Sequence, residues 1–346
     1  MIPESELKEI RTYLEKSENP LFFFDDDPDG LCSFLLLRKY LNKGKGIPVK
    51  SGFLDEKFLR KVEEYSPDLV IILDKPLVKQ EFIDKINVPV LWIDHHPLTE
   101  LKGLHYYNPL KNDKEDNSPV AYWCYKIAKR KEDMWIAAVG SISDWHIPSF
   151  AKQFSEKNPD LLPKNIKDPA KAIFETQLGE LTKIFSFILK GKTSDVRTAI
   201  GILLKIDNPY EILNQTTSKG KFLYKRIKKI KGMYDELLKK AMSEVTKDDF
   251  FVFYIPLRKI AMARDLATEI HYKYPDKAII IAREKEDTIS ISVRSAKHNV
   301  QKIMEYALRE FEKSYGGGHI HACGGNIAKE DWNKFIEKFK EGLKKW

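Results

Sequence analysis

The run Asp25-Asp26-Asp27-Pro28-Asp29-Gly30 sets four carboxylates within five residues, directly behind the apolar stretch Leu21 to Phe24. That stretch has the apolar continuity of a short buried strand, and a helix is predicted from about Leu31 to Leu41. Carboxylates crowded at a strand's end repel one another. A pair of divalent cations is the simplest neutraliser, and oxygen donors suit hard ions such as Mg²⁺ or Mn²⁺. Taken alone, the run is equally well explained as a solvated acidic loop. A second constellation, Trp92-Ile93-Asp94-His95-His96-Pro97, follows another apolar run. Adjacent histidines project differently from an irregular turn, so one can ligate a metal while the other meets a substrate oxygen. A neighbouring carboxylate can fix a ring tautomer by accepting its N–H. Asp74, behind Leu73, and Asp144, in Ser143-Asp144-Trp145, are single carboxylates, each weak evidence in isolation.

These groups need elements to bring them together. Asp68 to Leu73 and Val88 to Ile93 read as strands of continuous apolar character, and Pro48 to Phe53 as a further strand. Helices are predicted over residues 1–19, from Asp55 to Tyr65, from Asn117 to Arg130 and from Glu132 to Ile142. Strands without polar alternation, separated by helices, indicate a parallel sheet covered on both faces. Asp27, Asp74 and Asp94 then fall at or just past the C-terminal ends of strands, where open α/β sheets place their ligand sites. From residue 150 to 245 strand signals fade into Lys- and Leu-rich helical patterns. From 246 to 346 an α/β pattern returns: strands from Phe250 to Leu257, Ala278 to Arg283 and Thr288 to Arg294, and helices from Arg264 to Tyr272, Val300 to Phe311 and Asp331 to Lys345. The expected architecture is therefore α/β, with a parallel-sheet domain over 1–149, a helical middle over 150–245 and a smaller α/β domain over 246–346.

Composition bounds the function classes. The chain has 346 residues, 42% of them hydrophobic and 32% charged, with a net charge of +8. No apolar run approaches membrane-spanning length, so no membrane partner is expected. The N-terminus lacks the layout of a secretion signal. Cys32, Cys124 and Cys323 are scattered, without zinc spacing, and read as reduced thiols of a cytoplasmic protein. The positive balance persists despite the acidic cluster and permits a polyanionic substrate.

The order Asp-x-Asp, Asp, Asp-His-His, Asp over residues 20 to 146 resembles the four N-terminal motifs of the DHH phosphoesterase superfamily. The segment Tyr315-Gly316-Gly317-Gly318-His319 resembles the glycine-rich loop of the DHHA1 domain that follows it in that superfamily. The resemblance implies two Mn²⁺ or Mg²⁺ ions that cleave a phosphodiester. It assigns Asp27 and Asp29 to different ions, makes Asp74 a bridge, and completes the second ion's shell with His95 and Asp144. His96 would face the scissile phosphate and Asp94 would hold the histidine pair. Small-nucleotide phosphodiesterases of the superfamily carry a metal-binding His where this chain has Phe23. Asp25 stands in for it, as in RecJ-like nucleases, which favours a polynucleotide substrate.

Gly316, Gly317, Gly318 and His319 suit a phosphate, because glycines let backbone N–H groups approach an anion closely. Arg294, at a strand end, resembles the family's phosphate-contacting arginine and offers a planar fork for that role. The most basic segment, Lys219 to Lys231, reads as a solvated helix face or a nucleic-acid contact. Length and domain order are most similar to archaeal RecJ-like proteins of the Hef-associated nuclease type. That resemblance implies a 3′→5′ exonuclease on single-stranded nucleic acid, working in repair beside a Hef-type helicase. The alternatives are a nanoRNase or small-nucleotide phosphodiesterase, and a non-catalytic replisome scaffold. Whether the chain forms a homo-oligomer is left open.

Overall fold

The computed structural model of the protein describes residues 1–257 and 261–346. The chain separates into two compact units, Met1–Ile227 and Lys228–Trp346, so the helical stretch expected between 150 and 245 divides between them.

In the first unit, β1 (Pro20–Asp25), β2 (Lys45–Val49), β3 (Leu69–Leu73), β4 (Val90–Ile93) and β5 (His105–Tyr107) form one parallel sheet in the order β2-β1-β3-β4-β5. The chain leaves β1 in one direction to β2 and then crosses to β3 on the other side. The crevice between the C-terminal ends of β1 and β3 is thus the topological switch point, the usual ligand position in such sheets. Both faces are covered, which is why these strands read as unbroken apolar runs. On one face Phe23 lies edge-on to Phe58 and Phe82, within a core that includes Leu21, Ile72 and Trp92. On the other, Phe24 stacks on Phe34 at 4.8 Å and Phe22 meets the same ring edge-on.

The helices of this unit are α1 (Glu4–Lys16), α2 (Pro28–Leu41), α3 (Leu59–Tyr65), α4 (Gln80–Ile83), α5 (Val120–Ala128) and α6 (Met134–Ser143), followed by α7 (Ala151–Lys157), α8 (Pro169–Phe174), α9 (Gln177–Ile188), α10 (Thr193–Leu203) and α11 (Tyr210–Leu213). Helix α2 starts earlier than the pattern predicted. Asp27 caps it, its carboxylate accepting the Gly30 N–H at 3.1 Å, and Pro28 occupies the first turn, where a missing N–H costs nothing. The strand expected from Pro48 to Phe53 ends at Val49, and β5 was not anticipated. His105-Tyr106-Tyr107 has no apolar run and becomes a strand only by pairing with Leu91 to Ile93. Helix α9 packs on α6 and α2. Helix α12 (Ser218–Ser243) buries Leu223, Ile227, Ile230, Tyr234, Leu237 and Ala241, a stripe of helical period.

The second unit holds a mixed sheet in the order β6-β7-β8-β10-β9, built from β6 (Phe250–Ile255), β7 (Ala278–Glu284), β8 (Thr288–Arg294), β9 (Tyr315–His319) and β10 (Ala322–Ala328). Helix α13 (Ala263–Lys273) packs on β7 and β8. Helices α14 (Val300–Leu308) and α15 (Trp332–Leu343) cover a core of Ile289, Ile291, Val293, Met304, Phe335 and Phe339. The expected glycine-rich loop is a strand: Gly316 to His319 pair antiparallel with Ala322 to Gly325. Glycine is poor at forming strands, but here glycines face glycines and the backbones approach closely. A Cβ on Gly318, whose φ is +149°, would lie 2.4 Å from the Ala322 carbonyl oxygen.

Candidate metal centre

Asp29, in the first turn of α2, is fully buried. Its carboxylate accepts the N–H groups of Val120 and Ala121, each at 2.8 Å, and so caps α5, whose own preceding residue is Pro119. Gly140 on α6 makes this packing possible. A Cβ there would come within 2.5 Å of the Ala121 Cβ, 2.8 Å of the Cys32 Cβ and 3.3 Å of an Asp29 oxygen.

Asp74 follows β3 with a φ of +56°, uncommon for a residue other than glycine and often retained at functional sites. Its N–H is tied to the Ile93 carbonyl at 3.0 Å. The side chain is 1% exposed, yet neither carboxylate oxygen has a well-formed hydrogen bond. Buried polar atoms are ordinarily satisfied, so these oxygens call for a cation. His95 lies beside them, its Nε2 3.3 Å from Asp74 Oδ1 and 3.1 Å from Asp144 Oδ2. Its Nδ1–H donates to the Asn117 carbonyl at 3.2 Å, which leaves Nε2 toward the carboxylates.

The ligand atoms of Asp29, Asp74, His95 and Asp144 all lie within 4.8 Å of one another, as do those of Asp74, His95 and His96. The electrostatics match a cation site. Burial, then the charge of Asp144, pushes the Asp29 carboxyl well above its usual range. Burial, then Asp29 and Asp27, does the same to Asp74. Burial alone would lower the His95 pKa, but its bonds to Asp144 and Asp74 outweigh this and hold it far above the ordinary value. A divalent ion held by these residues would take the place of that proton and offset the charge of the carboxylates together. The donor set of three carboxylates and one imidazole suits Mn²⁺ or Mg²⁺.

The other expected residues are placed as follows. His96 donates Nδ1–H to Asp94 Oδ1 at 2.8 Å, and its main-chain N–H reaches Asp94 Oδ2 at 3.2 Å. Asp94 therefore orients His96, while a main-chain carbonyl orients His95. Asp27 caps α2, outside both groupings. Asp25 is also outside them: it receives Lys75 Nζ at 2.5 Å. Phe23 points into the apolar core. Two residues escaped the sequence reading. Asp26, pushed up to about 6 chiefly by burial, has an unsatisfied Oδ1. Lys75, next to Asp74, is 3% exposed. A lysine directly after a strand-end aspartate was the only signal available for it.

In the second unit, Arg294 is held by the Val293 carbonyl at 2.8 Å and Thr268 Oγ1 at 3.3 Å. Burial, then the neighbouring Arg264, lowers it to about 10. Arg294 and His319 lie on the two strands that flank β10: Ala322 pairs with Arg294 on one side and His319 on the other. Gly316 to His319 are exposed. On α12, Arg226 is engaged by Asp195 at 3.5 Å and the Lys190 carbonyl at 2.9 Å, whereas Lys221, Lys225, Lys228 and Lys229 are exposed.

Residues 21–156 match the DHH family, N-terminal domain, and residues 250–345 match the DHHA1 domain. No curated protein sequence matches the chain. Among solved structures, a manganese-bound exonuclease RecJ is similar over 98% of this chain and 94% of its own, at 16% identity and a TM-score of 0.67. RecJ from Thermus thermophilus in complex with Mn²⁺ is similar at 15% identity and a TM-score of 0.62, over 98% of this chain and 55% of its own. CDC45 from Entamoeba histolytica matches at 14% identity and a TM-score of 0.50, over 99% of this chain and 98% of its own. At these identities the likeness is one of fold. Among the described residues, no helix is long and apolar enough to cross a membrane.

Proposed function

The chain belongs to the DHH/DHHA1 superfamily, and from that premise we propose that it is a divalent-metal-dependent phosphodiesterase that shortens single-stranded nucleic acid from an end, preferentially the 3′ end. The observation that carries the reading is the buried Asp74 carboxylate, without a well-formed hydrogen bond and surrounded by Asp29, His95 and Asp144. Those four residues would hold the ion, which, when bound, supplies Lewis acidity and a water acidic enough to be deprotonated near neutral pH. Asp94 accepts the Nδ1–H of His96 and holds the ring so that Nε2, when it carries a proton, would donate to a phosphoryl oxygen. Asn117 fixes the His95 ring so that its Nε2 stays with the carboxylates. The second unit adds strand affinity through Arg294 and the exposed Gly316–His319 strand.

Phe23 favours a polymer over a dinucleotide. It is locked in the apolar core and offers the site no ligand. The test is an initial-rate series on single-stranded oligomers of graded length, labelled at either end, in DNA and RNA, with Mn²⁺ supplied after chelation. Efficiency should rise over the first several nucleotides, with label at the 3′ end released first. A dinucleotide cleaved as fast as the longest strand would move the protein to the small-nucleotide branch. Complete absence of hydrolysis and of bound metal would point to a scaffold.

A further inference from the structure

Lys75 is the most deeply buried lysine the described residues contain, and it lies beside an acidic site. Its Nζ donates to Asp25 Oδ1 at 2.5 Å and to the Ser51 carbonyl at 2.8 Å. Its own carbonyl accepts the Trp92 indole N–H at 3.2 Å, so the main chain is fixed from the core side. Trp92 and Phe23 belong to the same apolar cluster. A lysine is rarely buried unless it is paired, and here the partner is the carboxylate expected to hold one of two ions.

We propose that the Lys75 ammonium is a permanent cation of the site: it takes the place of a divalent ion at Asp25, so the chain carries a single tightly held ion, at Asp29, Asp74, His95 and Asp144. The proposal rests on the metal-dependent reading above. The Lys75 ammonium takes Asp25 Oδ1, and its positive charge opposes a divalent ion approaching the remaining oxygen. The amine is covalently tethered one residue from Asp74 and has a second acceptor in Ser51, so it is present at every metal concentration. The Lys75 charge would also keep the switch-point crevice attractive to a phosphate before any ion binds.

The experiment uses the full chain, stripped with a chelator and titrated with Mn²⁺, reading ion stoichiometry by calorimetry and ion–ion coupling by electron paramagnetic resonance. The wild type should take one ion per chain with the spectrum of a magnetically isolated centre. Lys75→Met should free Asp25 and raise the stoichiometry from one to two, with exchange coupling between the ions. The double variant Asp25→Asn with Lys75→Met, which leaves no charge unpaired, should return to one ion and provides the folded comparison if Lys75→Met is unstable. Two coupled ions in the wild type would overturn the proposal, as would a stoichiometry of one in folded Lys75→Met. Absence of any Mn²⁺ binding by the wild type would overturn the metal-dependent reading itself.

Discussion

Asp94 and Asp29 show how two buried carboxylates near the same histidines do different work. Asp29 is held by main-chain donors at a helix N-terminus, which favour its anion, and it joins the ligand cluster. Asp94 lies outside that cluster and serves to orient His96. The two should separate experimentally. Asp29→Ala should abolish Mn²⁺ binding and reduce hydrolysis by orders of magnitude. Asp94→Asn removes the charge and leaves one acceptor oxygen where His96 uses two. It should lower the rate by roughly 10- to 100-fold, as for other partners of site histidines, while Mn²⁺ affinity measured by calorimetry changes little. Equal loss of metal in both variants would make Asp94 a ligand in effect. Most of this was legible from residue types and order. That Asp94 serves one histidine and not both was not, because it depends on the Asn117 carbonyl reaching His95 from a distant loop.

At the scale of elements, the site depends on how closely α2, α5 and α6 approach, and Gly140 sets that distance. Gly140→Ala should cost about 1–3 kcal/mol through overpacking and weaken Mn²⁺ binding by displacing Asp29, measurable by denaturant unfolding and calorimetry. An unchanged stability would mean that α6 can shift freely. The segment leading into α12 offers a pH prediction. Glu211 is 4% exposed, and its carboxylate accepts the Asp207 N–H at 2.7 Å and the Thr217 hydroxyl at 2.8 Å. Burial would raise its pKa, but these bonds, together with the Asn208 N–H and Lys219, hold it below the usual carboxylate range. A folded value below the unfolded one contributes stability at neutral pH and loses it as pH falls through the folded value. The melting-temperature gap between wild type and Glu211→Gln should therefore be open at pH 7 and close below about pH 4. A gap independent of pH would assign the effect to shape and not to charge.

For the molecule as a whole, the net charge of +8 and the exposed lysines of α12 fit an electrostatic track for a polyanion. Arg226 belongs to the same basic run in sequence but is committed to Asp195 and main-chain carbonyls. Replacing Lys221, Lys225, Lys228 and Lys229 by Gln should weaken single-strand binding. The log–log salt slope should shrink by about 0.7 for each phosphate that is no longer neutralised. Arg226→Gln should mainly destabilise the fold. Fluorescence titrations at several salt concentrations distinguish the two, and a salt slope untouched by the four lysine changes would remove α12 from the strand's path.

The order of motifs was enough to determine the parallel-sheet first domain and the α/β second one, and to single out Asp29, Asp74, His95 and Asp144, which come together in one cluster, because strands buried on both faces and carboxylates at their ends leave a local signature. Three things were decided only by tertiary structure. The glycines at 316–318 became an edge strand because Gly324 and Gly325 allow two backbones to approach. Asp25 meets Lys75 because β1 and β3 are neighbours in the sheet, which brings the residue after Asp74 against the end of β1. The Asp74 carboxylate is buried at the end of β3 with the His95 ring beside it, a neighbour brought in by the segment that follows β4. Each is a contact between residues far apart in the chain, and periodicity, which reports only local order, carries no record of them.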